Sequence, residues 1–162
     1  MFTKKARSAL IAALLLSTGP AFAETMVKEV QVDIDMDAVQ NLKAANQWAN
    51  IADDLENAVV GRLAGRTADD GAKISIDIDE VTLANTIEQM AGVADSKLTG
   101  HVNVTHDNNN TVFDSYDLTV TFDQAGPLIV SGTDLAQLTT NSKEYYDAMI
   151  AAFADRVVAD LK

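Results

Sequence analysis

The stretch Trp48–Leu63, WANIADDLENAVVGRL, decides the fold. Trp48, Ile51, Ala52, Leu55, Val59 and Leu63 recur at the spacing that lines one side of an α-helix. Asn50, Asp53, Asp54, Glu56 and Asn57 fall mostly off that side. The helical pattern runs from about Ala44 to Gly65. Arg62 and Arg66 suit the negative end of its dipole, and Gly65 with Asp69-Asp70-Gly71 supplies the stop. Asn41 is placed to cap or break the chain ahead of it. A helix with one apolar stripe needs a surface to cover, and the flanking sequence provides one.

Before the helix, Val30, Val32, Ile34 and Met36 alternate with Glu29, Gln31, Asp33 and Asp35, so Lys28 to Met36 reads as a half-buried strand. After it, Ala72 to Leu83 sets Ile74, Ile76 and Ile78 against Lys73, Ser75, Asp77 and Asp79. Asn85 to Ser96 has no clear period, although Ile87, Met90 and Val93 fit a distorted helical turn or a covering loop. Leu98 to His106 and Val112 to Phe122 read as two further strands. The polar run Asp107-Asn108-Asn109-Asn110 turns between them, giving a hairpin with Val102 opposite Tyr116 and His101 across from Asp117. Gly126-Pro127 ends that hairpin. Leu128-Ile129-Val130 is too short to classify, as an edge strand or as a loop under the last helix. The last helix begins near Ser142, where Asn141 and Glu144 resemble a capping box. Its stripe is Tyr146, Met149, Ile150, Phe153, Val157 and Leu161.

The element order is therefore β-α-β-β-β-α. A helix between the first two strands implies a right-handed crossover, and the remaining strands can pair antiparallel. The expected fold is α+β: a two-layer α/β sandwich, with a four-stranded, mainly antiparallel sheet and two helices on one face. The other face meets water.

Residues 1–23 read as an address. Lys4, Lys5 and Arg7 precede the apolar run Ala9–Leu16, Ser17 to Pro20 break it, and Ala21-Phe22-Ala23 forms a small-x-small cleavage site. The run is too short to span a bilayer. Cleavage would leave residues 24–162 as a single globular domain, without a membrane anchor, in the periplasm. No cysteine is present, which removes disulfides, thiolate metal sites, cysteine nucleophiles and a lipid-bearing cysteine. Of the 12 basic residues three lie in the address segment, so residues 24–162 carry nine against 24 acidic ones, a formal −15. That field opposes nucleic acid and anionic lipid, and favours cations, basic partners or plain solubility.

Asp33, Asp35, Asp77 and Asp79 fall on the water face of the sheet. If their strands are parallel neighbours, four carboxylates gather near the strand ends, the donor set a hard cation such as Ca²⁺ takes. The plainer reading is a solvated face whose charge deters sheet-to-sheet sticking. His101 and His106 point to opposite faces and do not readily share one metal. Catalytic signatures are lacking: there is no G-x-S-x-G elbow, no H-E-x-x-H, no phosphate loop, no dinucleotide fingerprint and no convincing Ser-His-Asp arrangement. A non-enzymatic chain that needs no cofactor is expected. Met90, Leu128, Ile129 and Tyr145 are the candidates for a partner surface, since only one of Tyr145 and Tyr146 can follow the buried stripe.

The A-D-D-L-x-x-A-V helix at Ala52–Val59, the I-x-I-x-I strand after it, the long hairpin and the A-x-x-F-A-x-x-V-x-x-L helix ending at Leu161 carry a resemblance. This layout looks like uncharacterised bacterial periplasmic proteins. More remotely it is similar to the α/β domains of envelope accessory lipoproteins, including penicillin-binding-protein activators and the curli secretion lipoprotein. The resemblance implies a domain that binds a protein partner or self-associates as a homo-oligomer, and does not catalyse. It carries over no functional residue, and this chain lacks the lipid-bearing cysteine of those lipoproteins.

Overall fold

Period-two alternation and helical stripes close on one core. The computed structural model describes residues 24–34, 48–82, 84, 96–133, 138 and 142–161. Strands β1 (Val27–Ile34), β2 (Ala72–Thr82), β3 (Lys97–Thr105) and β4 (Asp114–Thr121) form one sheet in the order β1-β2-β3-β4. β1 runs parallel to β2 and the other pairs are antiparallel. Val102 lies opposite Tyr116 and His101 opposite Asp117, as the hairpin reading required. Ile74, Ile76, Ile78, Leu98, Val102, Leu118 and Val120 are buried on the inner face, and the intervening residues face water.

Helix α1 (Ile51–Arg62) crosses between β1 and β2, and α3 (Lys143–Asp160) lies beside it. The apolar stripe of α1 is where the sequence put it: Ile51, Leu55 and Val59 are all inaccessible. The helix itself is shorter than the pattern. Trp48 sits in a tight turn ahead of it, where the Ile51 N–H donates to the Trp48 carbonyl at 3.0 Å, and Asn50 is the cap residue. The expected start near Ala44, together with Asn41, lies outside the described residues, as do residues 85–95 and the address segment 1–23.

One boundary differs because capping chemistry overrides apolar pattern. Phe122 does not extend β4 but opens a short helix α2 (Phe122–Ala125), where Thr121 and Gln124 form a capping box. Its Thr121 N–H donates to Gln124 Oε1 at 3.0 Å. A 3₁₀ turn, Gly126–Leu128, follows, so three helices rather than two lie on the covered face. The cap of α3 is Ser142, whose Oγ accepts the Tyr145 N–H at 3.3 Å. Asn141, the expected cap, lies outside the described residues.

Both Tyr145 and Tyr146 are buried, which corrects the expectation that one would be exposed. The reason is that the start of α3 is flanked on two sides. Tyr145 stacks on Phe122 of α2 at 5.0 Å between ring centres, and Tyr146 meets Trp48 edge-on at 4.8 Å. The Tyr146 hydroxyl also donates to Asp54 of α1 at 2.6 Å. Leu55, fully enclosed in this core, should cost roughly 2–5 kcal/mol when replaced by Ala. Urea unfolding would show it, and a loss below about 1 kcal/mol would mean that the stripe is not packed as described.

Candidate functional site

The sheet face away from the helices is polar from edge to edge. Strand register lays Asp33, Asp77, His101 and Asp117 in one row across all four strands, and Gln31, Ser75, Asn103 and Ser115 in the next. Asp33 thus sits directly opposite Asp77 on parallel neighbours, and Asp79 lies further along β2, whereas Asp35 is outside the described residues. Among the described residues no group of three or more His, Asp or Glu side chains is placed to hold a metal ion. On its other side Asp77 has His101 as its neighbour.

His101 faces Asp117, as the hairpin reading placed it, and Ser115 joins the pair. Its Nδ1 lies 2.6 Å from Asp117 Oδ1 and its Nε2 lies 3.0 Å from Ser115 Oγ. That is the connectivity of a nucleophilic triad, but the protons run the wrong way. Ser115 Oγ donates to Asn103 Oδ1 at 2.8 Å, so towards His101 it accepts. This arrangement suits a ring with both nitrogens as donors, the imidazolium form, in which no lone pair is left to take a proton from the serine. The hydrogen bond to Asp117 accordingly raises the His101 pKa above 6.5. The available signal was Ser115-x-Asp117, two residues of one strand on the same face and both within reach of a cross-strand histidine.

A pH dependence follows. With the folded-state pKa raised, the pair's contribution to stability is complete below the unfolded value of 6.5. It is lost as pH rises through the folded value. An NMR titration should place His101 above 6.5, and Asp117→Asn should bring it down. A wild-type His101 titrating at or below 6.5 would contradict the imidazolium assignment.

A recess lies elsewhere, along β4. A groove of about 660 Å³ separates this strand from α3 and the 3₁₀ turn. Leu118, Val120, Leu128 and Ala152 line its apolar part, and Asp117, Thr119, Asp155 and Arg156 its polar part. An adjoining recess of about 370 Å³ shares Asp117, Leu118 and Arg156 and extends to Asp114, Tyr116 and Asp160. The Tyr116 hydroxyl is buried without a hydrogen-bond partner among the described residues, and burial pushes its pKa up to about 12.

β4 is also an edge of the sheet. Its hydrogen bonds alternate sides, and the Phe122 N–H donating to the Ser96 carbonyl at 3.1 Å fixes the phase. With the β3–β4 register unbroken, Tyr116, Leu118 and Val120 bond inward to β3. Ser115, Asp117, Thr119 and Thr121 point their N–H and C=O outward. Both ends of that outward row are blocked: Asp114 Oδ1 accepts the Ser115 N–H at 3.0 Å, and Gln124 takes the Thr121 N–H. Asp117 and Thr119, between them, face the groove.

Of the four partner-surface candidates, Leu128 borders this groove and is 42% exposed. Ile129 packs partly against the core. Tyr145 is 2% exposed and is no surface residue, and Met90 lies outside the described residues. Val130, not singled out beforehand, is 71% exposed just past Leu128.

No protein-family model matches this chain, and no curated protein does. Among solved structures it is similar to the PelC dodecamer from Paraburkholderia phytofirmans, at 12% identity over 90% of this chain and 96% of that one, with a TM-score of 0.48. It is also similar to a protein from Xanthomonas campestris assigned to the DUF330 family model (15% identity, 87% and 82% covered, TM-score 0.44). A minor lipoprotein from Acinetobacter baumannii aligns at 14% identity over 82% and 90%, with a TM-score of 0.37.

Proposed function

We propose that this chain is an exported, non-enzymatic accessory domain of the bacterial cell envelope. In this reading residues 1–23 direct export and are removed, and residues 24–162 work in the periplasm by binding a protein partner. The groove between β4 and α3 is the docking surface. One observation carries the proposal: exposed Leu128 borders a strand edge whose middle is open among the described residues and whose two ends are blocked. Protein-binding surfaces combine apolar contact area with polar groups awaiting partners. The His101 cluster supports a non-catalytic reading, because its proton directions suit an ion pair rather than an activated serine.

Site-specific photo-crosslinking tests the reading. A crosslinking amino acid at position 128 in cells should give a discrete adduct with another protein, and one at position 33, on the water face of β1, should not. Recovery of the lone monomer from both positions would contradict it. An adduct containing only this chain would turn the reading to self-association through the same surface.

A further inference from the structure

We infer that the groove takes an extended segment of alternating apolar and basic residues, which adds to the free edge of β4 as a new strand. The inference rests on the docking reading above and supplies its binding mode and the chemistry of the partner.

The backbone argues for strand addition. Asp117 and Thr119 hold their N–H and C=O groups outward into the groove, and among the described residues nothing takes them. A row of this kind is the template on which an extended peptide forms main-chain hydrogen bonds. The blocked ends at Ser115 and Thr121 confine pairing to the stretch between them.

The two sides of the groove argue for alternation. A strand beside β4 would point every second side chain into the layer between sheet and helices. There it would meet Leu118, Leu128 and Ala152. The remaining side chains would lie on the water face beside Asp117, whose carboxylate side chain is 79% exposed.

Charge selects the occupant. Asp114, Asp117, Asp155 and Asp160 border the two recesses, and these four carboxylates outnumber the three cations that pair among them: His101 with Asp117, Arg62 with Asp155 and Arg156 with Asp160. A second copy of residues 24–162, with nine basic against 24 acidic residues and a formal charge of −15, would bring acid to acid. Its own opposite edge, β1, carries Glu29 and Asp33 with Lys28. Basic side chains on the incoming strand fit, and acidic ones repel.

The experiment uses the mature protein and two fluorescein-labelled peptides, one alternating lysine with valine and one alternating glutamate with valine. The lysine peptide should bind, and it should shift the Asp117 and Thr119 amides in a ¹⁵N spectrum. The glutamate peptide should not bind. Thr119→Pro removes an outward N–H that no neighbour in the sheet uses, a change that edge strands tolerate. It should weaken binding roughly tenfold or more. Leu128→Asp should weaken it too, by placing a carboxylate on the apolar part. If Leu128→Asp abolishes binding and Thr119→Pro leaves it unchanged, the groove docks a partner without strand addition: the inference falls and the docking reading stands. Binding that is indifferent to both substitutions overturns both. Equal binding of the two peptides, or amide shifts that grow with protein concentration alone, overturns the basic occupant.

Discussion

Phe153→Ala is expected to lower the unfolding free energy by about 3–5 kcal/mol, with the midpoint temperature falling by on the order of 10 °C. Phe153 is fully buried near the middle of α3. Its ring tip reaches the central strands beside Gly100, where a Cβ would stand 3.3 Å from Phe153 Cζ and 2.8 Å from the Asp77 carbonyl. β3 is hydrogen-bonded on both sides, so it cannot move in to fill the space left by an alanine. Most of the cavity term therefore survives. Chemical denaturation followed by circular dichroism gives the number. A loss below about 1 kcal/mol would show that α3 does not pack on the sheet in this way.

Trp48→Ala should cost a similar amount, roughly 3–5 kcal/mol, although the residue lies outside any helix. The side chain is fully inaccessible, and its indole N–H has no hydrogen-bond partner among the described residues, so its contribution is packing rather than polar. The edge-on contact with Tyr146 ties the turn before α1 to the start of α3. A double-mutant cycle between Trp48→Ala and Tyr146→Ala should return a coupling of about 0.5–1.5 kcal/mol. Strict additivity would show that the two helices are held together elsewhere.

The layers, the parallel crossover and the hairpin register were legible because alternation and helical spacing are local patterns, and one face of each element had to be buried. Trp48 shows where that logic stops. Its place in the stripe predicted burial correctly, yet period alone does not distinguish the first turn of a helix from a tight turn leading into it. Phe122 shows a second limit: as an apolar residue it continued the pattern of β4, while Thr121 and Gln124 were already set to start a helix. Tyr145 shows a third, since its burial depends on α2, an element that the apolar pattern did not announce. The candidate site was the least legible part. Leu128 could be named in advance, but the groove it borders is built from a strand edge, and which backbone groups of β4 face outward follows from pairing phase rather than from any side chain.

That phase is open to direct measurement. Amide hydrogen exchange of free residues 24–162, read residue by residue along β4, should alternate. Leu118 and Val120 should be protected by their bonds to β3, while Asp117 and Thr119 should exchange orders of magnitude faster. Protection of Asp117 and Thr119 equal to that of their neighbours, in a protein shown to be monomeric, would mean that the edge is already covered, and the β4 groove could not be the docking site.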